Sequence, residues 1–300
     1  MTDRAGGNSM RLIRWAIFLA LLAGAGFWVL SRPVRLPDTA TAGLTGDAAR
    51  GETVFWAGGC AACHASPGAE GDARLILSGG YRIQSPFGTF VAPNISPSEQ
   101  GIGGWSTADM ANALIAGTGT GGQHLYPALP YTTYQRMTLQ DVADLKAFMD
   151  TLPASNVASL PHDLRFPFTV RRGLGLWKLL NMRPGWVLDA GGDAQLERGR
   201  YLVEALGHCA ECHTPRDLTG GLDRTRWMQG APNPSGKGTI PALTPDKLKW
   251  SATDIAYYLE TGFTPDYDSA GGEMVAVIAN LAHLDKADRE AIAAYVKALP

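Results

Sequence analysis

The chain contains four cysteines in 300 residues, and all four fall in two copies of one pattern: Cys60-Ala61-Ala62-Cys63-His64 and Cys209-Ala210-Glu211-Cys212-His213. Two thiols three positions apart, followed at once by an imidazole, form the attachment signature of c-type haem. On one helical turn each thiol reaches one of the two haem vinyl groups to form a thioether. The imidazole then lies beneath the iron as its proximal ligand. The expectation is two covalently bound haem c, held by Cys60, Cys63, His64, Cys209, Cys212 and His213. Other uses of paired cysteines fit less well. A disulfide or thioredoxin-like pair needs no histidine beside it. A zinc ribbon brings its CxxC pairs within about 15–20 residues of each other, whereas these lie 149 apart.

A low-spin haem that carries electrons needs a second axial ligand, commonly Met in c-type cytochromes. In the second half, Met274 follows Gly271-Gly272-Glu273 in a loop 61 residues beyond His213, so ligand type and position both fit. His283 is the runner-up and reads better as a packing or capping residue. The first half has no counterpart. Trp250 to Met274 is a step of 24, and the same step from Trp105 lands on Leu129, which cannot ligate iron. Met110 and Met149 read as helix core. The sixth position of the first haem is left to Met137, to His124 or to an open face, with Met137 the leading expectation. His/Met ligation raises the potential and suits electron transfer, while an open site invites O₂, peroxide or small-anion chemistry.

The elements that must position these residues are themselves repeated. A short helix-like stretch precedes each motif, Arg50 to Phe55 and Arg198 to Val203. Trp-Ser-x-x-Asp follows each, Trp105 to Asp109 and Trp250 to Asp254. Ser106 and Ser251 read as N-caps with Asp109 and Asp254 at the third helical position. Gly117 and Gly262 signal where those helices end. A last apolar-periodic helix closes each half, Leu139 to Leu152 and Leu284 to Leu299, each followed by Pro. Strand signals are sparse, so the fold class expected is all-α. The expected organisation is a cytoplasmic N-terminus (1–14), an anchor (15–31), a short tether (32–46), two haem domains (47–154 and 194–300) and a packed connector (155–193) with one helical patch, Arg171 to Met182.

The run Trp15 to Leu30 holds no charge, and with Leu12 and Ile13 it nears the ~20 residues that span a bilayer. Apolar residues continue past Ala23 and Ala25, where a cleavable signal would end, so the segment reads as an uncleaved transmembrane anchor. Arg4, Arg11 and Arg14 precede it, and Arg32 and Arg35 follow. Charged residues are 18% of the chain and the formal net charge is -2, which argues against nucleic acid as a partner. With 36 Gly and 19 Pro, much of the chain is loop.

The chain resembles the membrane-associated di-haem cytochromes c related to the cytochrome subunits of bacterial alcohol, sugar-acid and aldehyde dehydrogenases. The resemblance runs from about Arg50 to Pro300. Besides the two CxxCH motifs it rests on Pro93-Asn94-Ile95, Gly101 to Ser106, His124 to Ala128, Pro130-Tyr131, Thr214-Pro215-Arg216, Thr261 to Asp266 and Gly271-Gly272. It implies two class I cytochrome c domains in tandem behind one transmembrane helix. It further implies an inner-membrane protein with its N-terminus in the cytoplasm and its haem domains in the periplasm. Electrons would come from a periplasmic or membrane dehydrogenase and pass to quinone, a cytochrome or a terminal oxidase. Family members often have Met at the position of Leu129, and others, apolar there, often carry Met at the position of Met137. The competing reading is a haem enzyme, a peroxidase or a sulfur-compound oxidoreductase, working at an open first haem.

Overall fold

The computed structural model describes residues 5–233, 236 and 238–300, so Arg4 lies outside the described residues. A long helix, α1 (Ala5–Leu30), comes first. The first half contains α2 (Ala48–Ala57), α3 (Cys60–His64), α4 (Thr107–Ala116), α5 (Tyr131–Tyr134) and α6 (Leu139–Met149). The connector carries α7 (Leu174–Asn181). The second half repeats the order as α8 (Ala194–Tyr201), α9 (Ala210–His213), α10 (Ala252–Thr261), α11 (Met274–Leu281) and α12 (Lys286–Lys297).

Local chemistry sets most of these boundaries. Asp47, Ser106 and Thr138 in the first half, and Asp193, Ser251 and Asp285 in the second, each accept a bond from the backbone N–H three residues on. Such caps satisfy donors that the first helical turn leaves free. Both expected capping boxes form, and Gly117 and Gly262 end α4 and α10 in the left-handed region (φ 58° and 79°).

The chain is mainly helical rather than all-α. Strands β1 (Arg82–Ser85) and β2 (Gly88–Val91) form a hairpin to which β3 (Asp163–Leu164) adds from the connector. A second antiparallel pair joins β4 (Ala231–Pro232) and β5 (Thr239–Ile240). Among the described residues no strand exceeds four residues, too short for alternation to stand out from loop sequence.

Each half closes where its first and last helices cross, α2 over α6 and α8 over α12. Glycine permits the close approach. A Cβ at Gly51 would run into the Asp144 carbonyl, and one at Gly199 into the Ala291 carbonyl. An ion pair pins each crossing: Arg50 Nε to the buried Asp144 at 2.7 Å, and Arg198 to the buried Asp288 at 2.6 Å. Gly51→Ala is expected to destabilise the chain by at least ~1–3 kcal/mol, the cost of overpacking. Denaturant unfolding of the full chain followed by circular dichroism checks this. Gly104→Ala, with open space around it, is the near-neutral control.

The short tether, residues 32–46, lies against the first half. Ser31 is fully buried, and its carbonyl accepts from His124 Nε2 at 2.8 Å. Thr118 Oγ1 donates to the Val34 carbonyl (2.9 Å), Arg35 pairs with Asp109 (3.2 Å), and Leu36 N donates to Asn112 Oδ1 (2.7 Å). The segment is a strap along α4. The connector is likewise docked at its far end. The buried Glu204 carboxylate accepts from Val187 N (2.7 Å), Leu188 N (3.0 Å) and Tyr295 Oη (2.8 Å). One continuous apolar cluster, including Phe55, Val142, Leu202 and Tyr295, runs through both halves.

Candidate haem-attachment sites

Each CxxCH motif folds as a short helical turn entered through a left-handed residue, Gly59 (φ 68°) before Cys60 and His208 (φ 39°) before Cys209. Before the second motif, Leu202–Leu206 widen into a π-turn, a local rearrangement often found at functional sites. No disulfide joins the four cysteines, which leaves each of them available for a thioether bond. Burial raises the unreacted Cys60 and Cys209 thiols to about 12 and Cys63 to about 11. No group of three or more metal-ligating side chains forms among the described residues.

The two histidines are set in one way. His64 Nδ1 lies 2.9 Å from the Pro93 carbonyl and His213 Nδ1 lies 2.7 Å from the Pro241 carbonyl. A carbonyl only accepts, so Nδ1 carries the proton and donates. Nε2 keeps its lone pair, the tautomer a metal-ligating imidazole requires. Burial holds both imidazoles below their usual pKa, against the opposing pull of those carbonyls, and so keeps them neutral. Two thiols and one available ring nitrogen on a single short helix fit a covalently attached haem, twice over. Pro241 was not legible in the sequence, although a proline 28–29 residues beyond each motif histidine is a signal that would have found it.

The distal candidates lie in different settings. Met274 is the first residue of α11 and is partly exposed. Glu273 just before it accepts from Tyr81 Oη at 2.8 Å, across the two halves. Met137 is buried and follows α5, whose Tyr134 Oη donates to the Gly58 carbonyl at 2.7 Å. His124 is turned to the strap, where Nε2 donates to Ser31. Its Nδ1 is buried without a hydrogen-bond partner. His283 lies before α12 and stacks on Trp56 with ring centres 3.7 Å apart, which is packing.

The two halves meet through these same elements in a reciprocal way. α5 of the first packs against the turn that leads to Cys209, and α11 of the second packs against α2 and α3. Thr132 Oγ1 donates to Glu211 Oε1 (2.8 Å), Arg74 donates to the Ala279 carbonyl (3.0 Å) and to Asn280, and the rings of Tyr134 and His208 meet at 5.9 Å. The thiol of Cys63, raised first by burial, is raised further by Glu273 and Cys212. Cys212 in turn senses Glu273.

Comparison with known proteins agrees with this geometry. The family model for cytochrome c matches residues 48–153 and again 196–300. A di-haem cytochrome c-type protein of Cereibacter sphaeroides is 58% identical over 97% of this chain and 98% of its own length. The fructose dehydrogenase cytochrome subunit of Gluconobacter japonicus is 37% identical over 84% of the chain, and the gluconate 2-dehydrogenase cytochrome c subunit of Pantoea cypripedii is 34% identical over 83%. The chain spans 52% and 59% of those two subunits, respectively.

Proposed function

The chain belongs to the cytochrome c family, and from that premise we propose that it is a membrane-tethered di-haem cytochrome that takes electrons from a dehydrogenase and passes them to quinone or to a downstream cytochrome or oxidase. Two covalently bound haem c supply reversible one-electron exchange. The chain's own part is to hold them close together, fix their ligands and limit the access of water. The observation that carries this reading is the reciprocal packing of α5 against the turn that leads to Cys209 and of α11 against α2 and α3, which joins the two attachment regions. A dehydrogenase as donor is supported by the relatives that are subunits of such enzymes.

In this reading Cys60, Cys63, Cys209 and Cys212 form the thioethers and His64 and His213 are the proximal ligands. Met274 is distal at the second site and Met137 at the first. The bond from His124 Nε2 to Ser31 ties that ring to the strap, which supports Met137 over His124. Helix α1 is the anchor. Its Ser9–Leu30 stretch holds an 18-residue window of mean hydropathy 1.9, none of which is buried against the rest of the chain. The N-terminus is then cytoplasmic and the haem domains periplasmic.

The full chain in detergent or nanodiscs is expected to show two low-spin haems inert to cyanide and peroxide, and, once reduced, to be oxidised by a ubiquinone analogue. A high-spin ferric haem that binds cyanide quickly would instead assign the first site to haem-enzyme chemistry of the peroxidase or sulfur-compound type, which Leu129 leaves room for. Met137→Leu is expected to convert one haem of the two to high spin and to lower its potential by on the order of 0.1 V or more. His124→Gln should leave both spectra unchanged. Optical redox titration of the two variants reads both outcomes.

A further inference from the structure

Among the described residues outside α1, seventeen large apolar side chains are exposed, and nine of them lie between Val157 and Trp186 in the connector. On α7, Leu176, Leu179 and Leu180 are 36%, 62% and 58% exposed. Their spacing of three and four puts them on one helical face. The helix is held from other positions. Gly175 packs on Ser31, where a Cβ would strike the backbone, and Lys178 Nζ donates to the carbonyls of Ala116 (2.8 Å) and Gly117 (2.6 Å). A helix at a protein–water surface turns its apolar stripe inward, and α7 presents one outward. Phe166 (82% exposed) and Phe168 (43%), just upstream in the chain, are exposed as well.

Two further observations say what covers this surface. The first is its charge. Residues 164–188 contain five basic side chains, Arg165, Arg171, Arg172, Lys178 and Arg183, and no acidic one. In the second half, residues 250–285 show the reverse, six acidic and no basic. The second is its attachment. The connector grips the end of α1: Arg172 Nε donates to Ser31 Oγ at 2.8 Å, and its guanidinium lies 4.2 Å from the centre of the Trp28 ring. The 22 residues Ser9–Leu30 make a rod of ~33 Å, close to the ~30 Å of a hydrocarbon core. The last turn of α1 therefore falls at the lipid–water boundary, where Trp is favoured. The start of α7 falls there with it.

We propose that the connector is a membrane-surface foot. Phe166, Phe168 and the Leu176–Leu179–Leu180 face of α7 insert at the headgroup–acyl boundary of the bilayer that α1 spans, and Arg165 and Arg183 meet anionic headgroups. The proposal rests on the anchor reading of α1. Together with the strap, the foot gives the haem domains a fixed stance on the membrane instead of a free swing.

The thioethers consume every native cysteine, so an introduced cysteine is the single thiol of the holoprotein. Phe166→Cys, Leu179→Cys, Leu22→Cys and Tyr267→Cys, each in the full chain and each labelled with an environment-sensitive fluorophore, are placed in phosphatidylethanolamine–phosphatidylglycerol vesicles. The vesicles carry a lipid spin-labelled near its headgroup. Haem spectra verify that each variant has folded. Labels at 166 and 179 are expected to shift to shorter wavelength and lose most of their emission to the spin label, while the label at 267 stays bright. If 22 is quenched but 166 and 179 behave like 267, the foot is overturned and its apolar face belongs to a protein partner. A bright, water-exposed label at 22 overturns the anchor, and the foot with it.

Discussion

Cys60→Ala together with Cys63→Ala is expected to halve the haem content of the chain, from two per polypeptide to one by pyridine haemochrome assay. The mirror pair Cys209→Ala and Cys212→Ala should do the same. The losses arise because the thiols are the covalent hold, and no other cysteine is within the chain to replace them. The two variants then separate in function. Each leaves one redox centre, so electrons that enter at one half no longer leave at the other, and passage from donor to acceptor is expected to fall by orders of magnitude. Stopped-flow oxidation of the reduced chain by a quinone analogue measures it. A pair of alanines that left two haems in place would show that the CxxCH motif is not the attachment site in that half. Each variant is also expected to unfold at lower temperature, because the core of that half closes around its haem.

The parts of this design that were legible in the sequence are those written in adjacent residues. The CxxCH spacing, the paired capping boxes at Ser106–Asp109 and Ser251–Asp254, and the glycine stops at 117 and 262 each need only one turn of helix to act. The apolar helix was legible too, although among the described residues it runs from Ala5 through Arg11 and Arg14, and not from Trp15. What the sequence did not disclose depends on contacts between distant segments. Pro93 and Pro241 act through backbone carbonyls, so only their matching offset from each motif histidine could have pointed to them. The strap looked like a tether because Pro, Thr and Gly without periodicity usually are one. Its order comes from Ser31, His124 and Arg172, scattered over more than 140 positions. His124 drew attention as a donor in a loop, and the structure shows that its nitrogen serves the strap.

Met274→Leu has the second largest expected effect, and it tests the asymmetry between the halves. Leucine and methionine are close in volume, and such swaps usually cost less than about 1.5 kcal/mol, so the fold persists. The second site loses its sulfur donor. Axial ligands set haem potentials over a range of about 0.8 V, and loss of the methionine is expected to lower this one by on the order of 0.1–0.3 V. For one electron, about 59 mV is a tenfold change in equilibrium constant. A fall of about 0.2 V is thus roughly three decades in how electrons divide between the two haems, enough to hold them on the first. Redox titration should then show one unchanged potential and one displaced, with a high-spin signal belonging to the displaced centre alone. The first half gives the reciprocal test. Leu129 stands where the repeat places Met274, so Leu129→Met in a Met137→Leu background is expected to restore a low-spin haem there. Restoration would mean that the halves share one distal geometry, and that the natural chain supplies the same sulfur from eight residues further on. If Met274→Leu left both potentials in place, the ligand of the second haem would have to come from elsewhere. His283, now stacked on Trp56, would then be the residue to replace next.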